Sequence, residues 1–276
     1  YNIGTDNSFR SDRQGRCCPL KPAIIFFDID GTLVDPATRS VSERTLLALS
    51  RLRERGIRIA ISTGRAPSEV PDFGPLALDA YCTYNGSLCY AGGQGLHKDP
   101  IDPSDVARVI ANATAIGRPV AVALADRLAA NGVDRDLADY YALANLTLSV
   151  APDFDRACRE DVYQLLIGCR PEEHAALLAG TQGVRIAVSW SRAVDVIPAR
   201  SGKGVAIGKV LAHFGLEASQ AMAFGDSLND LEMIRAVGLG VAMGNAMPQL
   251  KDVADDVCGP VSADGIWHYC IDHGLI

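Results

Sequence analysis

The stretch Phe26–Asp35 reads FFDIDGTLVD and continues the apolar segment Ala23–Ile25. The run Ala23–Phe27 is uninterrupted and rich in β-branched and aromatic residues, which predicts a strand covered on both faces at the centre of a parallel sheet. Two aspartates, Asp28 and Asp30, follow directly. Because neighbouring carboxylates repel each other at the end of a buried strand, protons or a cation must compensate for their charge.

The next segment has the pattern of a helix followed by a second buried strand. Ser40 and Glu43 fit a capping box at the start of a helix, and Gly56 is a natural stop at its end. Ile57–Ile61 is again a short apolar run, and it ends in Ser-Thr-Gly-Arg. A strand, a helix and a strand in this order form a βαβ unit, so the sheet is predicted to be parallel.

Residues 201–276 return to the same pattern. Lys203–Phe214 is predicted as a helix that ends at Gly215, and Ala221–Phe224 is predicted as a short buried strand. This strand leads into Gly-Asp-Ser-Leu-Asn-Asp, so another strand end carries carboxylates. The parallel sheet of the first segment is therefore predicted to continue here.

The middle of the chain has helices and strands of its own, including a predicted helix at Pro103–Ile116 and a predicted hairpin between VRIAVSW and AVDVIP. We predict an α/β fold with a Rossmann-like parallel-sheet core domain, residues 20–87 and 193–276. This core is interrupted by an inserted α/β cap domain, residues 88–192. Residues 1–19 are polar and begin with Tyr rather than Met, so they are interpreted as an N-terminal extension and left out of the fold prediction.

The composition excludes several classes of protein. Hydrophobic residues make up 48% of the 276 residues and charged residues 21%, which is typical of a soluble globular protein. The formal net charge of −7 argues against a nucleic-acid-binding protein. The apolar runs fall well short of the roughly 20 residues of a membrane helix. Eight cysteines form no C-x-x-C pair, which favours reduced thiols in a cytoplasmic protein; the oligomeric state is not predictable from these features.

Three predicted strands end in polar motifs, and the carboxyl ends of parallel strands meet at one edge of a sheet. Asp28 and Asp30 follow the first strand, and Thr63 follows the second. Asp226 and Asp230 follow the third. Carboxylates gathered at one edge must take up protons or hold a cation, and oxygen ligands without a neighbouring His or Cys favour Mg²⁺.

Taken singly, each motif is typical of a turn or a helix cap, but in this order they resemble the motifs of the haloacid dehalogenase (HAD) superfamily of phosphohydrolases. FFDIDGTL resembles the first motif, STGR the second, SGKGVAI the third, and GDSLND with GVAMGNAM the fourth. YNGS at 84–87 is similar to the segment that leads into the large inserted α/β cap of the Cof-type branch. The resemblance covers residues 22–276 and is specific for fold and chemistry rather than for substrate.

The resemblance implies a role for each matching residue. Asp28 resembles the nucleophile that forms an aspartyl-phosphate, and Asp30 resembles the general acid that protonates the leaving oxygen and then activates water. The implied catalytic residues are Asp28, Asp30, Thr63 and Lys203. The implied substrate-binding residues are Thr63, Gly64, Arg65, Asn85, Lys203 and Asn229. The implied Mg²⁺ ligands are the side chains of Asp28 and Asp226 and the backbone carbonyl of Asp30, with Asn229 and Asp230 in support of the metal or of Lys203.

The implied activity is Mg²⁺-dependent hydrolysis of a small phosphorylated metabolite, and sugar phosphates are the commonest substrates of the family. A sugar phosphomutase shares this active site and stays open as an alternative. A non-catalytic sensor of phosphorylated ligands is a second alternative, although a pure binding protein has no use for Asp30. Residues 126–160 and the turn at Trp190–Ala193 are the segments that could overhang the site.

Two nucleotide-binding motifs do not fit the sequence. The segment around Lys203 is not a P-loop, because Ile197 and Gly204 stand where that motif requires Gly and Ser or Thr. Gly238 and Gly240 do not form a dinucleotide-binding fingerprint, because Met243 stands where the third glycine belongs. The lysine and glycine motifs are therefore interpreted within the phosphohydrolase pattern alone.

Overall fold

The fold is taken from a computed structural model that describes residues 22–143, 146–187 and 190–276. The predicted N-terminal extension, residues 1–19, lies outside the described residues. Within the described ranges, no helix is both long and apolar enough to cross a membrane.

Strands and helices are interspersed along the described residues. The strands are β1 (Ile24–Phe27), β2 (Val34–Asp35), β3 (Ser40–Val41), β4 (Arg58–Ser62), β5 (Ala80–Thr83), β6 (Leu88–Ala91), β7 (Gln94–Lys98), β8 (Val120–Ala123), β9 (Leu128–Ala130), β10 (Gln164–Ile167), β11 (Val184–Ala187), β12 (Val194–Pro198), β13 (Ala221–Gly225), β14 (Leu239–Ala242) and β15 (Asp256–Val257). The α-helices are α1 (Glu43–Glu54), α2 (Pro103–Ala115), α3 (Arg135–Leu143), α4 (Phe154–Ala157), α5 (His174–Leu177), α6 (Lys203–Phe214), α7 (Leu231–Arg235), α8 (Pro248–Lys251) and α9 (Gly265–Asp272). Short 3₁₀ turns lie at Pro67–Glu69, Tyr84–Gly86, Pro171–Glu173, Ala218–Gln220, Leu228–Asp230 and Val261–Ala263.

The larger sheet has eight strands in the order β15-β14-β13-β1-β4-β5-β6-β7. Its strands from β15 to β5 pair in parallel, whereas β6 and β7 are antiparallel additions at one edge. The prediction of an α/β fold on a parallel sheet is therefore confirmed. β1 pairs on one side with β13 and on the other with β4, so it is the central strand that its apolar sequence predicted.

Helices cover this sheet and seal its core. Each residue of β1, Ile24–Phe27, is completely buried, so both faces of the strand are covered. Helix α1 packs against α9 and β4, and α6 packs against α7 and the strands β4 and β5. The start of α1 differs from the prediction: Ser42 rather than Ser40 is the cap, because its Oγ accepts a hydrogen bond from the amide of Thr45 at 3.0 Å. Ser40 lies in the strand β3 instead.

The second sheet is antiparallel and has the order β11-β12-β10-β8-β9. Its pairing of β11 with β12 confirms the predicted hairpin. It has an apolar core of its own, which includes Val109 of α2 and Leu165 of β10. A separate apolar cluster joins the two sheets, because it brings Tyr84 and Leu88 against Tyr163 and Leu166.

Sheet membership places the two crossings between the sheets later than the predicted residues 88 and 193. β6 and β7 belong to the larger sheet, and β12 belongs to the smaller one. At the crossings the two connections contact each other: Arg200 Nε donates to Asp99 Oδ1 at 2.5 Å, and Ser201 Oγ donates to Asp99 Oδ2 at 2.8 Å. We therefore propose the division into two domains with its crossings near residues 99 and 200.

Candidate active site

The ends of three neighbouring strands carry the polar side chains that the sequence singled out. Asp28 follows β1, Thr63 follows β4 and Asp226 follows β13, and these strands lie side by side in the larger sheet. Gly31 allows the loop after β1 to pass close to Asp226: its φ is +84°, and a Cβ there would collide with the Asp226 carboxylate. The predicted gathering of these motifs at one edge of the sheet is thus present.

Lys203 projects from the first turn of α6 into this edge and is fully buried. Its Nζ lies 2.7 Å from Asp28 Oδ1 and 2.5 Å from Asp230 Oδ1. Burial alone lowers the pKa of Lys203, but the carboxylates of Asp230 and Asp28 outweigh it and raise that pKa above its ordinary value. The lysine therefore stays charged and compensates part of the negative charge around it.

One lysine does not neutralise the carboxylates that surround it. Asp28, Asp226 and Asp230 each place an oxygen within 4.8 Å of the others. Burial raises the pKa of Asp28 to about 7, against the opposing effect of Lys203. Burial and the charge of Asp28 raise the pKa of Asp226 well above its usual range. The cluster therefore has a deficit of positive charge.

The deficit fits a divalent cation with oxygen ligands. The three clustered groups are all carboxylates, a donor set that Mg²⁺ accepts. Asp226 is oriented by Thr32, whose Oγ1 donates to Asp226 Oδ1 at 3.0 Å. Asp230 is committed elsewhere, since its Oδ2 accepts the backbone amides of Asp226 and Ser227. Asp28 and Asp226 are thus the side chains best placed to hold the ion; the carbonyl of Asp30 stays a predicted ligand.

Asp30 lies outside the buried cluster and pairs with Arg65. Arg65 Nε and Nη2 donate to the two oxygens of Asp30 at 2.8 and 2.6 Å, which is a bidentate pair. Arg65 Nη1 also donates to the carbonyl of Glu69 at 2.8 Å. The sequence predicted that Arg65 faces the substrate; in this structure it lines the same cavity, and its guanidinium is bound to the predicted general acid.

A buried hydrogen-bond network links the site to the smaller sheet. Asn229 Nδ2 donates to Asn85 Oδ1 at 3.0 Å. Asn85 Nδ2 in turn donates to Gln164 Oε1 at 3.0 Å and to Asp195 Oδ2 at 2.8 Å. Burial raises the pKa of Asp195 to about 7, although hydrogen bonds from Asn85 and Tyr140 oppose the shift. Asn85 therefore joins the larger sheet to side chains of β10 and β12.

A cavity of about 300 Å³ opens over these residues. Its floor includes the predicted residues Asp28, Asp30, Thr63, Gly64, Arg65, Asp226 and Asn229. Its other wall is formed by Glu69, Tyr140, Tyr141, Leu146, Leu166 and Trp190. The segments expected to overhang the site, 126–160 and Trp190–Ala193, thus supply part of the wall. Lys203 and Asn85 lie beneath this surface and reach it through their contacts with Asp28 and Asn229.

Sequence reasoning missed Asp195 and Gln164, and it named the segments that carry Tyr140, Tyr141 and Trp190 without singling out these aromatic side chains, which form an aromatic wall of the cavity. Asp195 carried a usable signal, because it is a single charged residue in the apolar strand β12. Tyr140 and Tyr141 lie on α3, a helix that the sequence did not predict. Two buried atoms on the cavity have no hydrogen-bond partner among the described residues: the hydroxyl of Tyr141 and Oδ1 of Asn229. Such atoms are suited to bind a ligand.

The chain is similar to known phosphatases over most of its length. A family profile described as haloacid dehalogenase-like hydrolase matches residues 25–270. The Bacillus subtilis (strain 168) protein named "Putative phosphatase YkrA" is 34% identical over 257 residues, which is 92% of this chain and 98% of that protein. The HMP-PP phosphatase of Escherichia coli O157:H7 (strain EC4115 / EHEC) is 33% identical over 246 residues, which is 82% of this chain and 85% of that protein.

The fold is also shared with a solved structure. The HAD subclass IIB sugar phosphatase BT4131 superposes with a TM-score of 0.84 at 27% sequence identity. The superposition covers 92% of this chain and 99% of that one. The agreement therefore extends over both sheets, including the region predicted as a cap.

Proposed function

The chain belongs to the haloacid dehalogenase-like hydrolases and is a phosphatase of that family, and we propose that it hydrolyses a small phosphorylated metabolite through an aspartyl-phosphate on Asp28. The observation that supports this most directly is the contact between Asp28 and Lys203. A buried carboxylate held by a buried ammonium at 2.7 Å is positioned at the floor of the cavity. That arrangement suits a nucleophile facing an anionic phosphoryl group.

In the first step, an oxygen of Asp28 attacks phosphorus and the bond to the leaving oxygen breaks. Lys203 offsets the repulsion between the carboxylate and the dianionic phosphoryl group. Thr63 is buried at the end of β4 and lines the cavity. This position supports the proposal that Thr63 holds the transferred phosphoryl group. Its backbone is fixed by the amide of Asn85, which donates to the Thr63 carbonyl at 2.8 Å.

Asp30 is the second carboxylate of the proposed mechanism. It protonates the leaving oxygen in the first step and takes a proton from water in the second, when water attacks the aspartyl-phosphate and releases inorganic phosphate. Arg65 donates to both oxygens of Asp30 and so holds its carboxyl group at the cavity. Transfer of a proton from Asp30 to the leaving oxygen requires one of these two hydrogen bonds to open.

Mg²⁺ is the cation that the carboxylate cluster is proposed to bind. Asp28 and Asp226 would hold it, with the carbonyl of Asp30 as a third protein ligand. When bound, it supplies positive charge beside the phosphoryl oxygens. Burial raises the pKa of Asp28 and so favours its protonated form, whereas the nucleophile must be ionised. A bound cation would favour the ionised form.

A sugar phosphate is the first substrate class that we propose. The structural relative BT4131 is named as a sugar phosphatase. The HMP-PP phosphatase is a relative whose name gives a different substrate, so the family membership alone does not select one. We also propose a cytoplasmic location, because the cysteines among the described residues are free thiols, as expected in a reducing compartment.

The proposal is tested by measuring phosphate release from a panel of sugar phosphates, with and without Mg²⁺, alongside an isomerisation assay on the same panel. We expect release of inorganic phosphate without any added bisphosphate. A mutase must hold a bisphosphorylated sugar and exclude water. Isomer formation that outpaces phosphate release, and only with a bisphosphate present, would overturn the hydrolase mechanism in favour of a mutase.

A further inference from the structure

The cavity over Asp28 has one wall that the phosphoryl chemistry does not use. Tyr140 and Trp190 form a stacked pair there, with ring centroids 5.9 Å apart and planes inclined by 13°. Leu146 and Leu166 complete an apolar surface beside them. A surface of this kind covers the face of a ring and offers little to an extended polar chain.

One polar group interrupts this apolar wall. Tyr141 is only 4% exposed, and its hydroxyl has no hydrogen-bond partner among the described residues although it lines the cavity. Burial raises the pKa of Tyr141 well above its usual range, so the hydroxyl stays neutral and keeps its proton. A buried hydroxyl without a partner costs free energy, and a ligand acceptor at that position would recover it.

The cationic groups around the cavity are already neutralised. Arg65 is the basic residue among its described lining, and its guanidinium pairs with Asp30. Arg192 lies over Trp190 at 4.2 Å, but it is bonded to Asp136 and Asp139 at 3.1 and 3.0 Å. Glu69 adds a further carboxyl to the wall. A second anionic group on the substrate would therefore find no uncommitted cation among the described residues that line the cavity.

From these three observations we propose that the leaving group is an uncharged, ring-bearing alcohol. Its ring lies against Tyr140 and Trp190, and a nitrogen or oxygen acceptor on it receives the Tyr141 hydroxyl. This inference rests on the proposed phosphatase mechanism and narrows it, because phosphorylated acids and bisphosphates are excluded. Both a pyranose and a nitrogen heteroaromatic ring have this chemistry, and the experiment separates them.

The experiment compares matched pairs of phosphate esters. Glucose 6-phosphate and pyridin-3-ylmethyl phosphate carry a ring with an acceptor, whereas cyclohexylmethyl phosphate and benzyl phosphate carry a ring without one. The wild type should prefer the acceptor-bearing member of at least one pair about tenfold in kcat/KM, the effect of one buried hydrogen bond. The pair that shows the preference identifies the ring. Both 6-phosphogluconate and fructose 1,6-bisphosphate should be poorer than either preferred compound.

Two variants test whether the aromatic wall of the cavity causes the preference in kcat/KM. Tyr141→Phe should remove the tenfold preference by lowering kcat/KM for the acceptor-bearing ester alone, and Trp190→Leu should lower kcat/KM for both members of the pair. Tyr269→Phe removes a hydroxyl that donates to Asp256, a residue remote from the cavity lining, and should change neither. Equal losses on both esters in Tyr141→Phe, or a wild-type preference for the anionic compounds, would overturn the proposal.

Hydrolysis of acetyl phosphate tests the proposed phosphatase mechanism independently of the leaving-group inference. Its leaving group carries no ring and needs no acid, so its hydrolysis reports the chemistry at Asp28 alone. Suppose that acetyl phosphate is hydrolysed through Asp28 but that neither pair of esters shows a preference for the member with an acceptor. This result would refute the leaving-group inference and leave the phosphatase mechanism intact. Absence of that hydrolysis would instead refute the mechanism.

Discussion

The ammonium of Lys203 lies 2.7 Å from the carboxylate of Asp28, and both groups are buried at the carboxyl edge of the larger sheet. The two residues are 175 positions apart in the sequence, so only the fold brings them together. Asp230 holds the same ammonium from another side at 2.5 Å. Lys203 is therefore fixed before any substrate binds. The conformational entropy of its side chain is lost during folding, so substrate binding does not have to order it.

Asp28→Asn should abolish turnover without unfolding the protein. Asparagine has nearly the same shape but cannot attack phosphorus, and Lys203 keeps its contact with Asp230. We expect the rate with p-nitrophenyl phosphate to fall by more than about a thousandfold. Asp272→Asn, an exposed aspartate at the end of α9, serves as the control. More than about 1% residual activity in Asp28→Asn, with circular dichroism unchanged, would show that another residue is the nucleophile.

Mg²⁺ should stabilise the folded protein as well as activate it. The raised pKa values of Asp28 and Asp226 mean that the metal-free protein loses stability as these groups ionise with rising pH. At pH 8, Mg²⁺ at one hundred times its dissociation constant should add about 2.7 kcal/mol to the free energy of unfolding. Urea unfolding with EDTA and with Mg²⁺ measures this. The increment should shrink in Asp226→Asn, and an equal increment in that variant would place the ion elsewhere.

Arg65→Met should impair hydrolysis in a way that depends on the leaving group. Arg65 fixes both oxygens of Asp30, and p-nitrophenolate leaves without needing a proton. The rate with an alkyl phosphate should therefore fall about tenfold or more beyond the fall seen with p-nitrophenyl phosphate. Arg44→Met removes an exposed arginine that pairs with Asp264 and should leave both rates unchanged. Equal losses on the two substrates would mean that Arg65 acts on the phosphoryl group rather than through Asp30.

Asp195 should make the stability of the protein fall as pH rises. Its pKa is about 7 in the folded protein and 3.8 in an exposed chain, so the folded state binds the extra proton between these values. The corresponding stability is full below about pH 4 and is lost as pH rises through 7. Between pH 5 and pH 8 the wild type should lose about 2–3 kcal/mol more than Asp195→Asn does. Urea unfolding of both proteins at the two pH values, in EDTA, checks this; parallel losses would show that Asp195 does not titrate in this range.

The larger sheet was predictable because its signals are local and agree with one another. The apolar run at Ile24–Phe27 and the polar residues after it indicate a covered strand that ends at a site. Strand order then gathers Asp28, Thr63 and Asp226 without further information, since parallel strands share one carboxyl edge. The identities of the residues on this edge thus followed from the sequence, although their roles stay predictions.

The partners of those residues were not predictable from local pattern. The contact of Arg65 with Asp30 depends on side-chain direction, and the sequence had predicted Arg65 to face the substrate and Asp30 to act as the general acid. The hairpin of β6 and β7 was missed because a strand added at a sheet edge carries no strong apolar signal; residues 94–98 are mostly exposed. Tyr141 lies in a segment whose helix is short, so its place on the cavity required the three-dimensional structure.

Asp99 gives the two chain crossings a shared mechanical property. Asp99 lies on the segment that leaves the larger sheet, and its carboxylate accepts hydrogen bonds from Arg200 and Ser201 on the segment that returns. These hydrogen bonds hold the two segments side by side. Two separate tethers would let the smaller sheet slide and twist as well as tilt. Connections that are hydrogen-bonded to each other resist sliding and twisting more than tilting. We therefore expect any opening of the cavity to be mainly a tilt of the smaller sheet about the place where Asp99 meets Arg200 and Ser201.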